Sequence, residues 1–261
     1  MRWRLCPTEQ SARRIFLGLC PGQKGVALTT CDCDGRSKTF RTSDGIADSE
    51  LEPIPAEKGE VKIKIGILIS GRGSNMLALA EAVRKGRIPE TEIAIVVSDQ
   101  SNAAGLALAQ AQNLPTAVVE RRNRARDEHD CELVTVLQEH QVDFVCLAGY
   151  MRLLSSRFLS AYRNRILNIH PSLLPAFPGL DAQRQALEHG VKFTGCTVHF
   201  VDQTLDGGPI IAQRIVPIIE GDTEETLSAR ILEEEHKLYA EAVALVAAGA
   251  YEIVGRRVVL K

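Results

Sequence analysis

From Val61 onward the chain alternates short β-branched apolar runs with segments of helical period, and this alternation constrains the fold more than any other feature. Val61 to Ile69 reads as a buried strand, and Asn75 to Arg87 as a helix with Leu79, Ala82 and Val83 on one stripe. The pattern repeats with a strand over Ile93–Val97, a helix over Ala103–Asn113, a strand over Thr116–Val119, a helix over Asp127–His140 and a strand over Asp143–Ala148. Such alternation predicts a parallel sheet whose crossover helices cover its faces. The second half is less regular. It predicts a strand over Ile166–Ile169, a helix over Asp181–His189, strands over Thr194–Val201 and Pro209–Ile218, a helix over Thr223–Ala248 and a terminal strand over Tyr251–Val259. The expected class is therefore α/β, a mostly parallel sheet flanked by helices.

Residues 1 to 60 lack this pattern. They hold four of the seven cysteines and the only tryptophan, and they end in the polar, proline-bearing stretch Ser49 to Pro55. The expectation is an N-terminal extension without a fixed fold over 1–60 and one catalytic domain over 61–261. The basic start, with Arg2, Arg4, Arg13 and Arg14, faintly has the look of a targeting peptide. Its apolar run is too short for a secretory signal, however.

Composition removes several classes. A net charge of −2 gives no field that recruits nucleic acid or an anionic membrane. The longest apolar runs fall far short of a membrane span. The cysteines are odd in number and form no C-x-x-C pair, and no H-E-x-x-H occurs, so no metal is expected. Scattered free thiols point to a reducing, cytoplasmic setting.

Between the first strand and first helix lies Ser70-Gly71-Arg72-Gly73-Ser74-Asn75. Glycines there permit positive φ and close approach of a ligand to backbone amides, and Ser74 or Asn75 can cap the helix. The free amides of a first helical turn attract phosphate. The dinucleotide fingerprint is incomplete, because Met76 stands where a third glycine belongs, and no Gly-Lys-Ser/Thr follows. Taken alone, the segment is equally a plain turn and cap. Its place beyond the carboxyl end of a strand favours a ligand.

Further on, Asn168-Ile169-His170-Pro171-Ser172-Leu173-Leu174-Pro175 and Leu205-Asp206-Gly207-Gly208-Pro209 carry the chemistry. Asn168 and His170 are two apart at the end of a strand, so their side chains share a face. An amide donor stabilises an oxyanion, and an imidazole donates a second hydrogen bond and moves a proton. Asp206 supplies the carboxylate that orients and charges the ring. Each residue alone is unremarkable, a structural histidine or a turn aspartate. The combination points to an acyl-type transfer onto a phosphorylated substrate. Of the other histidines, His129 and His140 are expected on a helix surface and His199 is expected to be packed in the sheet. The run Glu233-Glu234-Glu235 reads as a solvated helix face. Cys196 reads as core, and no G-x-S-x-G elbow is present.

At these motifs, together with Leu147 to Leu154 and Phe177-Pro178-Gly179-Leu180, the chain resembles the folate-dependent phosphoribosylglycinamide formyltransferases over about residues 62–253. The resemblance implies a Rossmann-like formyltransferase fold. It also implies transfer of a formyl group from the co-substrate 10-formyltetrahydrofolate to the amine of glycinamide ribonucleotide in purine synthesis, by a monomer or homodimer. Carried over residue by residue, it makes Asn168, His170 and Asp206 catalytic and gives the ribonucleotide to Gly73, Ser74, Asn75 and Glu235. The folate falls to Arg126, Met151, Arg152, Leu153, Leu154, Asn168, Asp202, Gln203, Thr204, Leu205 and Asp206. Two related classes fit less well. Formyltetrahydrofolate deformylases usually carry a preceding regulatory domain, and methionyl-tRNA formyltransferases a following RNA-binding domain. A non-catalytic nucleotide-sensing module would need the glycine turn but not the Asn-His-Asp set.

Overall fold

The computed structural model describes residues 62–261 and the backbone of two short strands before them. The chain divides into two units, residues 1–57 and 58–261. In the first, β1 (Leu28–Cys31) pairs antiparallel with β2 (Ser37–Phe40), Leu28 opposite Phe40. The rest of the expected extension lies outside the described residues.

The second unit runs β3 (Ile63–Ile69), α1 (Ser74–Arg84), β4 (Thr91–Ser98), α2 (Ala104–Ala111), β5 (Thr116–Val118), α3 (Arg126–Glu139), β6 (Phe144–Leu147), α4 (Ser156–Ala161) and β7 (Ile166–His170). It continues with α5 (Ala182–Glu188), β8 (Phe193–Phe200), β9 (Ile210–Pro217), α6 (Glu224–Ala247), β10 (Tyr251–Val254) and β11 (Arg257–Leu260). These β-strands form one sheet in the order β10-β11-β9-β8-β7-β6-β3-β4-β5. The part from β5 to β7 is parallel, as the alternation predicts. Beyond β7 the next two pairings turn antiparallel.

Two apolar clusters sandwich the sheet. One joins α1, α2 and α6 to Ile65, Ile67, Ile69, Leu167 and Phe200. The other joins α3 and α4 to Leu68, Val97, Val145 and Ile166. Strand β3 is buried on both faces from Gly66 to Ile69, which explains its unbroken apolar run. Helix α6 starts at a capping box. Thr223 accepts from the Thr226 amide at 3.3 Å, and Thr226 Oγ1 accepts from the Thr223 amide at 2.9 Å. It buries Leu227, Ile231, Leu238, Ala242 and Val246 along one stripe. The buried Tyr239 hydroxyl donates to the carbonyls of Leu147 and Leu167, fixing α6 over the ends of β6 and β7.

Three local expectations need correction. Helix α4 is absent from the sequence reading because it spans under two turns and buries one large residue, Phe158. Its signal was the cap Ser155, whose side chain accepts from the Phe158 amide. The expected terminal strand is a hairpin of β10 and β11, turned at Gly255, where φ is +62°. His129 is not on a helix surface. It is fully buried, with Nε2 2.8 Å from the Val119 carbonyl and Nδ1 3.2 Å from Asp130.

Candidate functional site

Strands β4 and β6 lie on opposite sides of β3, so the crossover direction reverses beside β3. A crevice opens at the carboxyl ends of strands at such a point. Here the Ser70 amide donates to the Gly149 carbonyl, Ser70 Oγ accepts from the Met151 amide, and Gln100 Nε2 donates to the Ser70 carbonyl. A cavity of about 710 Å³ follows, lined by Ser70 to Asn75, Gly149, Met151, Ile169 and Pro171, and from α6 by Glu224, Glu225, Ser228 and Glu235.

Gly73, not Ser74 or Asn75, caps α1, with φ +77° and no side-chain cap. A Cβ there would lie 2.7 Å from Gly105 Cα, so the turn needs glycine for both conformation and clearance. The first-turn amides are therefore without a side-chain acceptor. Asn75 turns elsewhere: its Nδ2 donates to Glu235 Oε2 at 2.9 Å. Glu235 is 7% exposed, so it is no solvated-face residue. Burial pushes its carboxyl above the usual range, against the opposing pull of Asn75 and Arg72.

Asn168 and His170 stand on one face of β7, as their spacing predicts. Leu167 and Ile169 face the other way, into the core beneath α1 and α6. Helices α3 and α4 cover the Asn168 and His170 face only at Ile166. Toward its end the face meets the loop from Pro171 to Phe177 and the loop from Asp202 to Gly208, through Phe177 and Asp206. His170 is 5% exposed. Its Nε2 lies 2.9 Å from the Phe177 carbonyl and so carries hydrogen, leaving Nδ1 3.5 Å from Asp206 Oδ2. Asp206 is itself aimed by the Gly179 amide, which donates to Oδ2 at 2.8 Å. Its backbone is left-handed, φ +49°, a conformation aspartate tolerates better than most residues. Gly208 lets the loop close on β8, since a Cβ there would fall 1.9 Å from the Phe200 carbonyl oxygen.

His199, expected as sheet packing, is part of this group. It pairs opposite Asn168 in the antiparallel ladder of β7 and β8. Its Nδ1 donates to the Phe200 carbonyl at 2.9 Å, and its Nε2 accepts from Asn168 Nδ2 at 3.2 Å. Burial, with the nearby His170, holds its pKa below the usual value, so it stays a neutral acceptor. The signal was present in the alternation of Thr197 and His199 against Val198 and Phe200. What was missing was the partner strand.

The structure brings Asn168, His170 and Asp206 together, and separately brings Gly73, Ser74, Asn75 and Glu235 to one cavity. The trio does not line that cavity; Ile169 and Pro171, which bracket His170, do. Met151, Leu153 and Leu205 are exposed apolar side chains. Arg152 and Leu154 are half-buried, Asp202, Gln203 and Thr204 form an exposed turn, and Arg126 is exposed at the start of α3. Cys196 and Cys146 are buried, and desolvation pushes each thiol up to about 12, which leaves neither as a nucleophile.

The family model described as formyl transferase matches residues 63–243. The chain belongs to the formyl transferase family. Within that family it is similar to phosphoribosylglycinamide formyltransferase of Escherichia coli (strain K12), 42% identical over 72% of this chain and 88% of that protein. It is also similar to the trifunctional purine biosynthetic protein adenosine-3 of Gallus gallus, 45% identical over 74% of this chain. It spans only 19% of that relative's length. Among solved structures, glycinamide ribonucleotide transformylase 1 of Symbiobacterium toebii superposes with a TM-score of 0.75 at 53% identity. That match covers 78% of this chain and 95% of the other. The catalytic-domain fold is thus that of a formyl transferase.

Proposed function

We propose that this chain transfers a formyl group from 10-formyltetrahydrofolate to the amine of glycinamide ribonucleotide, giving formylglycinamide ribonucleotide and tetrahydrofolate. The observation that carries the proposal is the His170 ring held between the Phe177 carbonyl and the Asp206 carboxylate, with Asn168 beside it on the same strand face. Likeness to proteins named for this reaction supports it.

Attack of the amine on the formyl carbon forms a carbon–nitrogen bond and puts negative charge on the formyl oxygen. One hydrogen of Asn168 Nδ2 is engaged by His199, and the second is left for that oxygen. His170 Nε2 is held by the Phe177 carbonyl, so Nδ1 is the ring nitrogen left for proton movement. Asp206 Oδ2 stands 3.5 Å from that nitrogen and orients the ring. The substrate amine must lose a proton and the folate nitrogen must gain one as its bond to carbon breaks. A histidine at this point can pass that proton, directly or through water.

The ribonucleotide phosphate sits at the Gly73, Ser74 and Asn75 amides, and Glu235 contacts the ribose or glycinamide part. The folate lies along Met151 to Leu154 and over Asp202 to Asp206, with Arg126 at its outer end. The free thiols of Cys131, Cys146 and Cys196 fit a reducing compartment such as the cytoplasm. The test is a steady-state assay of the full chain with both substrates. Formyl transfer that requires the ribonucleotide supports the proposal. Release of folate in its absence would point to a deformylase instead, and ribonucleotide binding without transfer to a sensor module.

A further inference from the structure

We infer that Arg72 is the counter-charge for the substrate's phosphate and selects phosphorylated over unphosphorylated amines, an inference that rests on the reaction proposed above. Arg72 lies between the two glycines of the β3–α1 turn. The Gly105 amide donates to the Gly71 carbonyl at 2.9 Å, and Gly73 packs on Gly105 with no room for a side chain. The turn is thereby pinned to the start of α2, and the Arg72 backbone is fixed at the cavity wall.

Among the described residues that line the cavity, Arg72 is the one cation, against the carboxylates of Glu224, Glu225 and Glu235. It forms no ion pair with any described residue. Its charge reaches Glu235 without a close ion pair, so the donor fork of the guanidinium is not tied to a carboxylate of the described residues. Two further observations mark the same end of the cavity as a ligand site. The first turn of α1 has no side-chain cap. Asn75, nine-tenths buried, has an Oδ1 with no hydrogen-bond partner among the described residues.

A phosphate carries close to two negative charges at neutral pH. A helix terminus offers only about half a positive charge. Three carboxylates already line the cavity, so the amides alone leave most of the phosphate charge uncompensated. A guanidinium supplies a full charge and a planar donor fork matched to two phosphate oxygens.

The test compares the full-length chain with R72A and R72K in two measurements. In the steady-state assay, R72A is expected to raise the KM for glycinamide ribonucleotide by about tenfold or more. The kcat should stay within about twofold and the KM for the folate should not move, because the charge acts at the phosphate end. R72K should fall between, retaining charge without the fork. The R72A penalty should shrink as salt is added, because Arg72 is exposed. In the second measurement, inorganic phosphate is the probe, and its stabilisation of the wild-type melting temperature should be reduced in R72A. An unchanged ribonucleotide KM and unchanged stabilisation by phosphate would overturn the inference, as would a rise confined to the folate KM. If R72A does not fold, R72Q is read by the same criteria. A wild-type chain with no formyl transfer would defeat the proposed reaction, while the phosphate measurement still decides the role of Arg72.

Discussion

Asn168 donates its side-chain amide to the Nε2 of His199, 3.2 Å away across two antiparallel strands. This one contact fixes which way the carboxamide points, because His199 Nδ1 is already committed to the Phe200 carbonyl. A neutral His199 is thus a positioning group for the amide that faces the reacting oxygen. His199→Ala is expected to lower kcat by about tenfold to a hundredfold with little change in either KM. His199→Gln, which restores an acceptor, should recover part of the loss. Equal losses in both variants would indicate a purely structural role.

The same histidine makes stability depend on pH. Burial holds its folded pKa below the ordinary 6.5, so the unfolded chain binds more protons in the window just below 6.5. Its contribution is present above that window and is lost as pH falls through it. Urea unfolding of the wild-type chain at pH 7.5 and pH 5.5 should show the decline. In His199→Gln the decline should be smaller, though half-buried His236, shifted in the same direction for the same reason, keeps part of it.

Glu235 acts with the opposite sign. Its carboxyl is raised above 4.5 by burial, so the folded chain holds the proton more tightly. The associated stability is full below 4.5 and fades as pH rises through the folded value. Glu235→Gln keeps an oxygen for Asn75 Nδ2 and should flatten that part of the profile. Glu235→Ala leaves the amide without its partner and should cost about 1–3 kcal/mol in urea unfolding. Both should raise the KM for the ribonucleotide more than that for the folate.

Asp206→Asn keeps the shape of the loop, since an amide oxygen still accepts from the Gly179 amide. What it removes is the negative charge 3.5 Å from His170 Nδ1. A fall in kcat of about a hundredfold or more is expected, far larger than the loss of folate affinity read by equilibrium titration. Near-normal turnover would remove Asp206 from the mechanism.

Gly208 and Gly71 make a paired test of where glycine is required. A methyl group at Gly208 meets the Phe200 carbonyl oxygen at 1.9 Å, whereas one at Gly71 meets nothing within 4 Å. Gly208→Ala should lower the melting temperature by several degrees, at about 2–4 °C per kcal/mol for a domain of this size. It should also lower kcat by displacing Asp206. Gly71→Ala should leave the melting temperature within about a degree, since it meets no steric conflict.

The layered α/β class was legible because a strand buried on both faces must be apolar throughout, as Ile65–Ile69 is, while crossover helices must show a 3.6-residue stripe. Asn168 and His170 were legible as a pair because alternate residues of a strand share a face. Asp206 was joined to them by the chemistry its carboxylate could supply and Glu235 to the ribonucleotide only by resemblance, since nothing in the local sequence says that residue 206 meets residue 170 or that residue 235 meets residue 75.

Sequence by itself therefore determined what is local: the periods that set the strands and helices, the glycine turn after β3, and the side chains able to do chemistry. Tertiary structure alone decided what depends on pairing across distance. The antiparallel register set His199 opposite Asn168 and made it a member of the site. Packing of α6 on the sheet turned Glu235 from an apparent surface charge into a buried partner of Asn75. Periodicity reports which face a residue takes on its own element. Which element covers that face is settled by long-range packing, which one strand's pattern does not encode.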